Sequence, residues 1–258
     1  MNTSIIKLFH LLSIALFCLI ESSASLAKEP LVALFGDSVT AGVNSGFGGG
    51  IGGGAEDHGQ LSIELDQELK SSARKSIVVN WGYGGTPTGP SQRTDGIVTS
   101  QHGINRIIPS LSGSKSTYSD VDCQTTPESC FVLIMYGTND PDWAISSADT
   151  GFNTRLIVQR AKSQGFEPVV ATLTPRTDFS VVSINSQISS AASAEGVSLV
   201  DQYTEFNAAG GLTLLDDEVH PSNEGYEVLA ETWFNLFLKD AINANANTAA
   251  IINLLLDD

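Results

Sequence analysis

Five short apolar runs constrain this chain more than any other feature. They are Leu31 to Leu34, Ile77 to Asn80, Phe131 to Tyr136, Pro168 to Leu173 and Val197 to Val200. Each is too short for a helix, rich in apolar and β-branched residues, and followed closely by Gly, Asn, Thr or Asp, so each reads as a buried strand. The segments between them have helical spacing: Leu61 to Leu69, Gly103 to Leu111, Thr150 to Gln164 and about Val181 to Ala194. In the third of these, Phe152, Leu156, Ile157 and Ala161 mark the apolar face. Ser222 or Asn223 caps a last helix running to about Ile242. Apolar strands alternating with helices demand a parallel sheet covered on both faces.

The first 27 residues read as a targeting segment. Lys7 supplies a positive start, Leu8 to Ile20 is almost wholly apolar, and Ser25-Leu26-Ala27 offers small residues for cleavage after Ala27. The apolar stretch falls short of the roughly 20 residues that span a bilayer. This predicts a secreted or periplasmic protein with one domain over 28–242 and a tail over 243–258. Cys123 and Cys130 then remain, flanking a turn-rich stretch within the polar loop 112–129, and they predict one local disulfide in an oxidising compartment. The formal charge of -16 outlasts cleavage, since the leader carries one Lys and one Glu. Such a surface repels nucleic acid and anionic membranes. No protein partner is implied, and stable membrane insertion is not expected.

In open parallel sheets, sites form outside the carboxyl ends of the strands. Ser38 in Gly36-Asp37-Ser38, Gly85 in the block Asn80 through Gly85 and Thr86, and Asn139 in Gly137-Thr138-Asn139-Asp140 each follow a predicted strand within a few residues. Far downstream stands Asp217-Glu218-Val219-His220-Pro221. A Ser hydroxyl is a weak nucleophile until a base takes its proton, and an imidazole suits that task at neutral pH. His220 is the candidate base. Asp217, three residues earlier, can reach its Nδ1, with Asp216 and Glu218 as rivals. The Ser38 and Gly85 backbone N–H groups and the Asn139 amide can meet the oxyanion that forms on the attacked carbonyl. A side chain at position 85 could block the approach of substrate.

These four blocks resemble those of the SGNH (GDSL-type) hydrolases, in the correct order and across about Leu31 to Leu238. The resemblance implies a flavodoxin-like three-layer α/β/α sandwich with a five-stranded parallel sheet. It implies Ser38 as nucleophile, His220 as base, Asp217 as its partner, and Gly85 and Asn139 in the oxyanion hole. Thr86-Pro87 departs from the Asp-Thr pair common there, which bears on the loop's substrate contacts. An ordinary α/β-hydrolase is disfavoured, because no Gly-x-Ser-x-Gly elbow is present.

The expectation is a serine esterase that uses no cofactor or metal and acts on a small-molecule or carbohydrate ester, with short acyl groups preferred. Alternatives are a lipase or lysophospholipase, and a non-catalytic carbohydrate-binding protein on the same scaffold. Asp37 and Asp140 are expected to hold loops, and His58 and His102 to be structural or solvent-facing. Trp81 and Trp143 are expected either to wall the pocket or to pack in the core. The glycine-rich stretch Gly46 to Gly54 reads as a mobile loop beside Ser38 rather than a nucleotide fingerprint, because it does not open a helix directly after a strand.

Overall fold

The computed structural model describes residues 29–43, 59–72, 76–93, 98–117, 123 and 130–242. All of them fall in the compact unit Glu29–Ile242. The leader, the loop Gly46 to Gly54, His58 and the tail 243–258 lie outside the described residues.

The strands are β1 (Leu31–Gly36), β2 (Ile77–Gly82), β3 (Cys130–Met135), β4 (Glu167–Ala171) and β5 (Ser198–Val200). They form one sheet in the order β2-β1-β3-β4-β5, every pair parallel. Leu34 stands opposite both Asn80 and Leu133, so the β1, β2 and β3 ends lie level. Every residue of β1 and β3 is buried, as central strands covered on both faces require. At the edge, β5 exposes Ser198 and Leu199.

The helices are α1 (Ser38–Ala41), α2 (Gln60–Ser71), α3 (Gly103–Thr117), α4 (Ser147–Ser163), α5 (Val182–Glu195), α6 (Gln202–Ala209) and α7 (Asn223–Trp233). One group packs α3 on α4 and α4 on α5, and the other packs α2 and α6 on α7. The predicted three-layer sandwich is present. Ser222 caps α7, its hydroxyl accepting from the Gly225 N–H at 3.2 Å. A π turn, Phe234–Leu238, carries Phe237 edge-on to Phe131, with ring centres 5.6 Å apart.

Three readings need correction. Helix α3 continues through Pro109 to Thr117, where a loop was expected. The proline removes the bond to the Asn105 carbonyl, but the turns beyond it are held from outside. Trp81 Nε1 donates to Ser114 Oγ at 2.7 Å, and Lys115 Nζ donates to the Gln164 carbonyl at 3.0 Å. In α4 the buried face is Thr150, Asn153, Thr154, Ile157, Val158 and Ala161, while Phe152 is 59% exposed. Buried hydrogen bonds made by Thr150 and Asn153 set that rotation, and a count of apolar residues misses them. Helix α6 and the 3-10 turn Gly211–Leu214 were not anticipated, because their mixed composition has no clear period.

Cys123 and Cys130 are joined, with Cα atoms 5.5 Å apart at the amino-terminal end of β3. They lie at the opposite end of that strand from Asn139. Closing so short a loop limits the gain to about 2 to 3 kcal/mol. Cys123→Ser with Cys130→Ser should therefore lower the unfolding free energy, measured by urea titration, by no more than that and leave ester turnover unchanged. Two free thiols by mass spectrometry in protein purified without reductant would remove the effect altogether.

Candidate active site

Strand β1 ends at Gly36, and no other residue fits there. A Cβ at Gly36 would lie 2.0 Å from Thr40 Oγ1 and 2.2 Å from the Met135 carbonyl oxygen. The bare backbone lets the chain turn tightly against β3 and enter α1 with Ser38 as its first helical residue. Asp37 caps the turn, Oδ1 accepting from Val39 N–H at 3.2 Å. Its Oδ2 accepts from the Gly137 and Thr138 N–H groups at 3.3 and 3.0 Å. One carboxylate thus joins the Ser38 turn to the loop carrying Asn139. Burial pushes this carboxyl up, and the three backbone donors work against that rise.

The loop before α7 is closed on itself. Leu215 and Pro221 pair as an antiparallel bridge, and Asp216 N–H donates to the His220 carbonyl at 2.8 Å. Within this loop the Val219 and His220 N–H groups both donate to Asp217 Oδ1 at 2.7 Å. Asp217 Oδ2 then lies 2.8 Å from His220 Nδ1, and His220 Nε2 lies 2.9 Å from Ser38 Oγ. Although partial burial works against the charge, the His220 and Val219 bonds hold the Asp217 carboxyl below its ordinary range. The loop selects Asp217 over its neighbours: Asp216 contributes its backbone to the bridge, and Glu218 offers its carbonyl to Thr177 N–H at 3.0 Å.

Gly85 has φ +70, a left-handed conformation that a side chain disfavours, yet a Cβ there would meet nothing within 4 Å. The glycine is demanded by backbone conformation and not by crowding from the protein. A Cβ on neighbouring Gly84 would stand 3.6 Å from Ser38 Cβ, so this loop lies beside the serine. Asn139 donates one amide hydrogen to the Thr86 carbonyl at 3.2 Å. That bond orients the amide and leaves its second hydrogen for another acceptor. The Ser38 N–H is among the helix-start donors without an intrahelical partner. All five residues expected at the site therefore gather at the carboxyl ends of β1, β2 and β3 or in the loop facing them. Cys123 and Cys130 do not.

A family model described as GDSL-like Lipase/Acylhydrolase matches residues 34–228. The chain belongs to that family. Ester hydrolysis is the chemistry that membership implies. A search of curated protein sequences finds no match. Among solved structures, a G-D-S-L lipolytic protein from Veillonella parvula aligns with TM-score 0.55 and 20% identity, covering 81% of this chain and 98% of that one. The psychrotrophic esterase EstA from Pseudoalteromonas, inhibited by monoethylphosphonate, aligns with TM-score 0.55 and 13% identity over 85% of this chain and 100% of its own. The acetyl xylan esterase AlAXEase gives 0.51 and 18%, covering 80% and 99%. At such identities the likeness concerns the fold.

Behind the residues of this GDSL-like site lies a buried polar layer of which the sequence disclosed only Asp140, expected to hold a loop and found doing so. Asp140 accepts from Thr88 N–H at 2.8 Å, Thr88 Oγ1 at 2.6 Å and Thr150 Oγ1 at 2.6 Å. Asn153 adds a bond to Thr88 Oγ1 at 3.0 Å. The Thr86 hydroxyl, at the position departing from the common pattern, faces inward to the Tyr83 carbonyl and the Tyr136 hydroxyl. Arg106 reaches from α3 to the Trp81 carbonyl at 2.9 Å and lies 4.6 Å from the Tyr83 ring centre. Arg106, Ser110 and Ser114 share the buried side of α3, a polar i, i+4, i+8 stripe that was the available signal.

The two tryptophans resolve differently. Trp81 turns to α3, its ring 3.1 Å from where a Gly113 Cβ would stand. Trp143 is buried and donates Nε1–H to the Gly85 carbonyl at 3.0 Å. Its role is to brace the Gly85 loop, so neither ring offers a broad stacking face. His102 is buried at the start of α3 and takes no part in the site.

Asp140 generates a pH prediction. Burial, only partly offset by its threonine bonds, pushes its carboxyl from 3.8 up to about 6. A carboxyl raised on folding binds its proton more tightly in the native state. It therefore adds stability as pH falls from about 6 towards 4 and withdraws it as pH rises through 6. Asp140→Asn should flatten that part of the profile relative to wild type. Urea midpoints measured from pH 4 to 7 check this, and parallel wild-type and variant profiles would contradict it.

Proposed function

We propose that this protein is a secreted serine esterase that hydrolyses short-chain carboxylic esters through an acyl-Ser38 intermediate. The observation that carries the reading is the hydrogen-bonded chain from Asp217 through His220 to Ser38 Oγ. In the proposed cycle His220 Nε2 takes the hydroxyl proton as Oγ bonds to the ester carbonyl carbon. The carbonyl oxygen becomes an oxyanion facing the Ser38 and Gly85 N–H groups and the Asn139 amide. Collapse breaks the bond to the alkoxy oxygen, and His220 returns the proton to the departing alcohol. Water, deprotonated by His220, then attacks the acyl-enzyme, and Ser38 leaves with that proton. Asp217 keeps the imidazole in the tautomer that presents Nε2 as an acceptor and stabilises the imidazolium.

Short acyl groups suit the surroundings of Ser38. Gly84, Gly85, Thr86, Gly137, Thr138 and Asn139 supply little of the apolar surface a fatty chain needs, at about 0.8 kcal/mol per methylene. The formal charge of -16 favours neutral alcohols such as sugars over polyanionic substrates. The alignment with an acetyl xylan esterase supports the same direction. Secretion rests on the leader over residues 1–27.

Ser38→Ala should fold normally and lose nearly all activity, and a fluorophosphonate should label wild type at Ser38 alone. Label retained by the variant would move the nucleophile elsewhere. Asp217→Asn should lower turnover by about 10²- to 10⁴-fold while leaving the melting temperature close to wild type, whereas Asp216→Asn should do little. Across p-nitrophenyl esters, kcat/KM should be greatest for acetyl and butyryl groups. A rise towards chains of about ten carbons, where each methylene adds some 0.8 kcal/mol, would instead support a lipid substrate.

A further inference from the structure

Strand β4 leads into the segment Pro175 to Val181, which contains a buried cation outside every sequence block of the site. The Arg176 side chain is 4% exposed. Its Nε and Nη2 fork onto the two carboxylate oxygens of Asp178 at 2.8 and 2.6 Å, and Asp142 stands 3.7 Å from Nη1. The same Nη1 donates to the carbonyl of Thr138, the residue before Asn139. One residue on, the Thr177 N–H donates at 3.0 Å to the carbonyl of Glu218, which lies between Asp217 and His220. Two consecutive residues thus grip the backbone of the oxyanion loop on one side and of the base loop on the other.

We propose that Arg176 is a positioning residue for ester hydrolysis, setting the Asn139 loop against the His220 loop. This rests on the reading of Ser38 as an esterase nucleophile. A bond to the Thr138 carbonyl fixes the plane of the Thr138–Asn139 peptide and so the direction in which the Asn139 amide leaves the backbone. The fork to Asp178 fixes the guanidinium plane, which a lysine's point charge cannot do. Arg176 does not touch the reacting atoms. It acts by keeping the oxyanion donor and the base in one frame, where an error of about 1 Å can lower the rate some 10²-fold.

The test uses the full secreted chain, p-nitrophenyl acetate and hydrogen exchange. Arg176→Ala should lower kcat by about 10²-fold and change KM by less than about threefold, because only transition-state contacts are disturbed. Arg176→Lys should recover part of the loss. Asn139→Ala should cost much less in the Arg176→Ala background than in wild type, since its donor is already misplaced. Amide exchange should quicken together in 136–142 and 216–221 and stay unchanged in β1 and β3. If Arg176→Ala does not fold, Asp178→Asn, which leaves the arginine but weakens its fork, should give the same pattern at smaller size. Wild-type kcat in a folded Arg176→Ala protein, full additivity with Asn139→Ala, or faster exchange in only one of the two loops would each overturn the proposal. A wild type that cleaves no ester and resists a fluorophosphonate would instead sink the esterase reading, and the exchange pattern would still decide whether Arg176 joins the loops.

Discussion

The carboxylate of Asp37 is the joint on which the site hangs. It caps the turn that presents Ser38 and also receives two N–H groups from the loop that presents Asn139. Backbone donors fix a carboxylate more tightly than flexible side chains can, because each is anchored in its own peptide plane. Two glycines flank the joint for different reasons: at Gly36 only bare backbone fits against Thr40 and Met135, and Gly137 holds φ +129, a conformation side chains disfavour. Burying this charge is costly, and the cost is tolerated because the acceptor is satisfied on both oxygens.

A second carboxylate repeats the device one layer further back. Asp140 gathers Thr88 and Thr150 and so ties the segment after β2 to α4. Between the two anchors, Trp143 holds the Gly85 carbonyl and Asn139 holds the Thr86 carbonyl. The Gly85 loop is therefore fixed through its own carbonyls. For the proposed esterase, stabilising an oxyanion would depend on donors that need not reorganise during reaction, and this polar layer is what would hold them.

The five strands, the layers and the serine, histidine and aspartate were legible because each leaves a local mark. Apolar runs mark buried strands, Gly-Asp-Ser marks a strand-to-helix turn, and an Asp three residues before a His can reach its ring. The two aspartates, Asp37 and Asp140, were legible as loop anchors, but the rest of the supporting layer was not, because its members are partnered across long separations. Nothing beside Thr150 in the sequence says that it faces Asp140, and the apolar Phe152 next to it points the helical face the wrong way. The polar stripe of Arg106, Ser110 and Ser114 does not say what it meets, and only the packing of α3 places Arg106 beneath Trp81 and Tyr83. Arg176 lies in a loop whose sequence carries no period at all. Polar burial is decided by the tertiary partner, and local pattern is blind to it.

The base loop sits 182 residues from the serine it serves. Parallel pairing already makes such a sheet slow to assemble, because distant segments must meet before any contact rewards them. Here the order of synthesis adds a further condition. A ribosome releases Ser38, the Gly85 and Asn139 loops and most of the sheet before Asp217 and His220 exist. On the proposed reading, Ser38 has no base until the loop closed by the Leu215–Pro221 bridge is in place. Catalytic competence, on that reading, thus arrives only when this late loop is in place, which makes ester cleavage a report on the folding of the carboxyl-terminal part of the described unit.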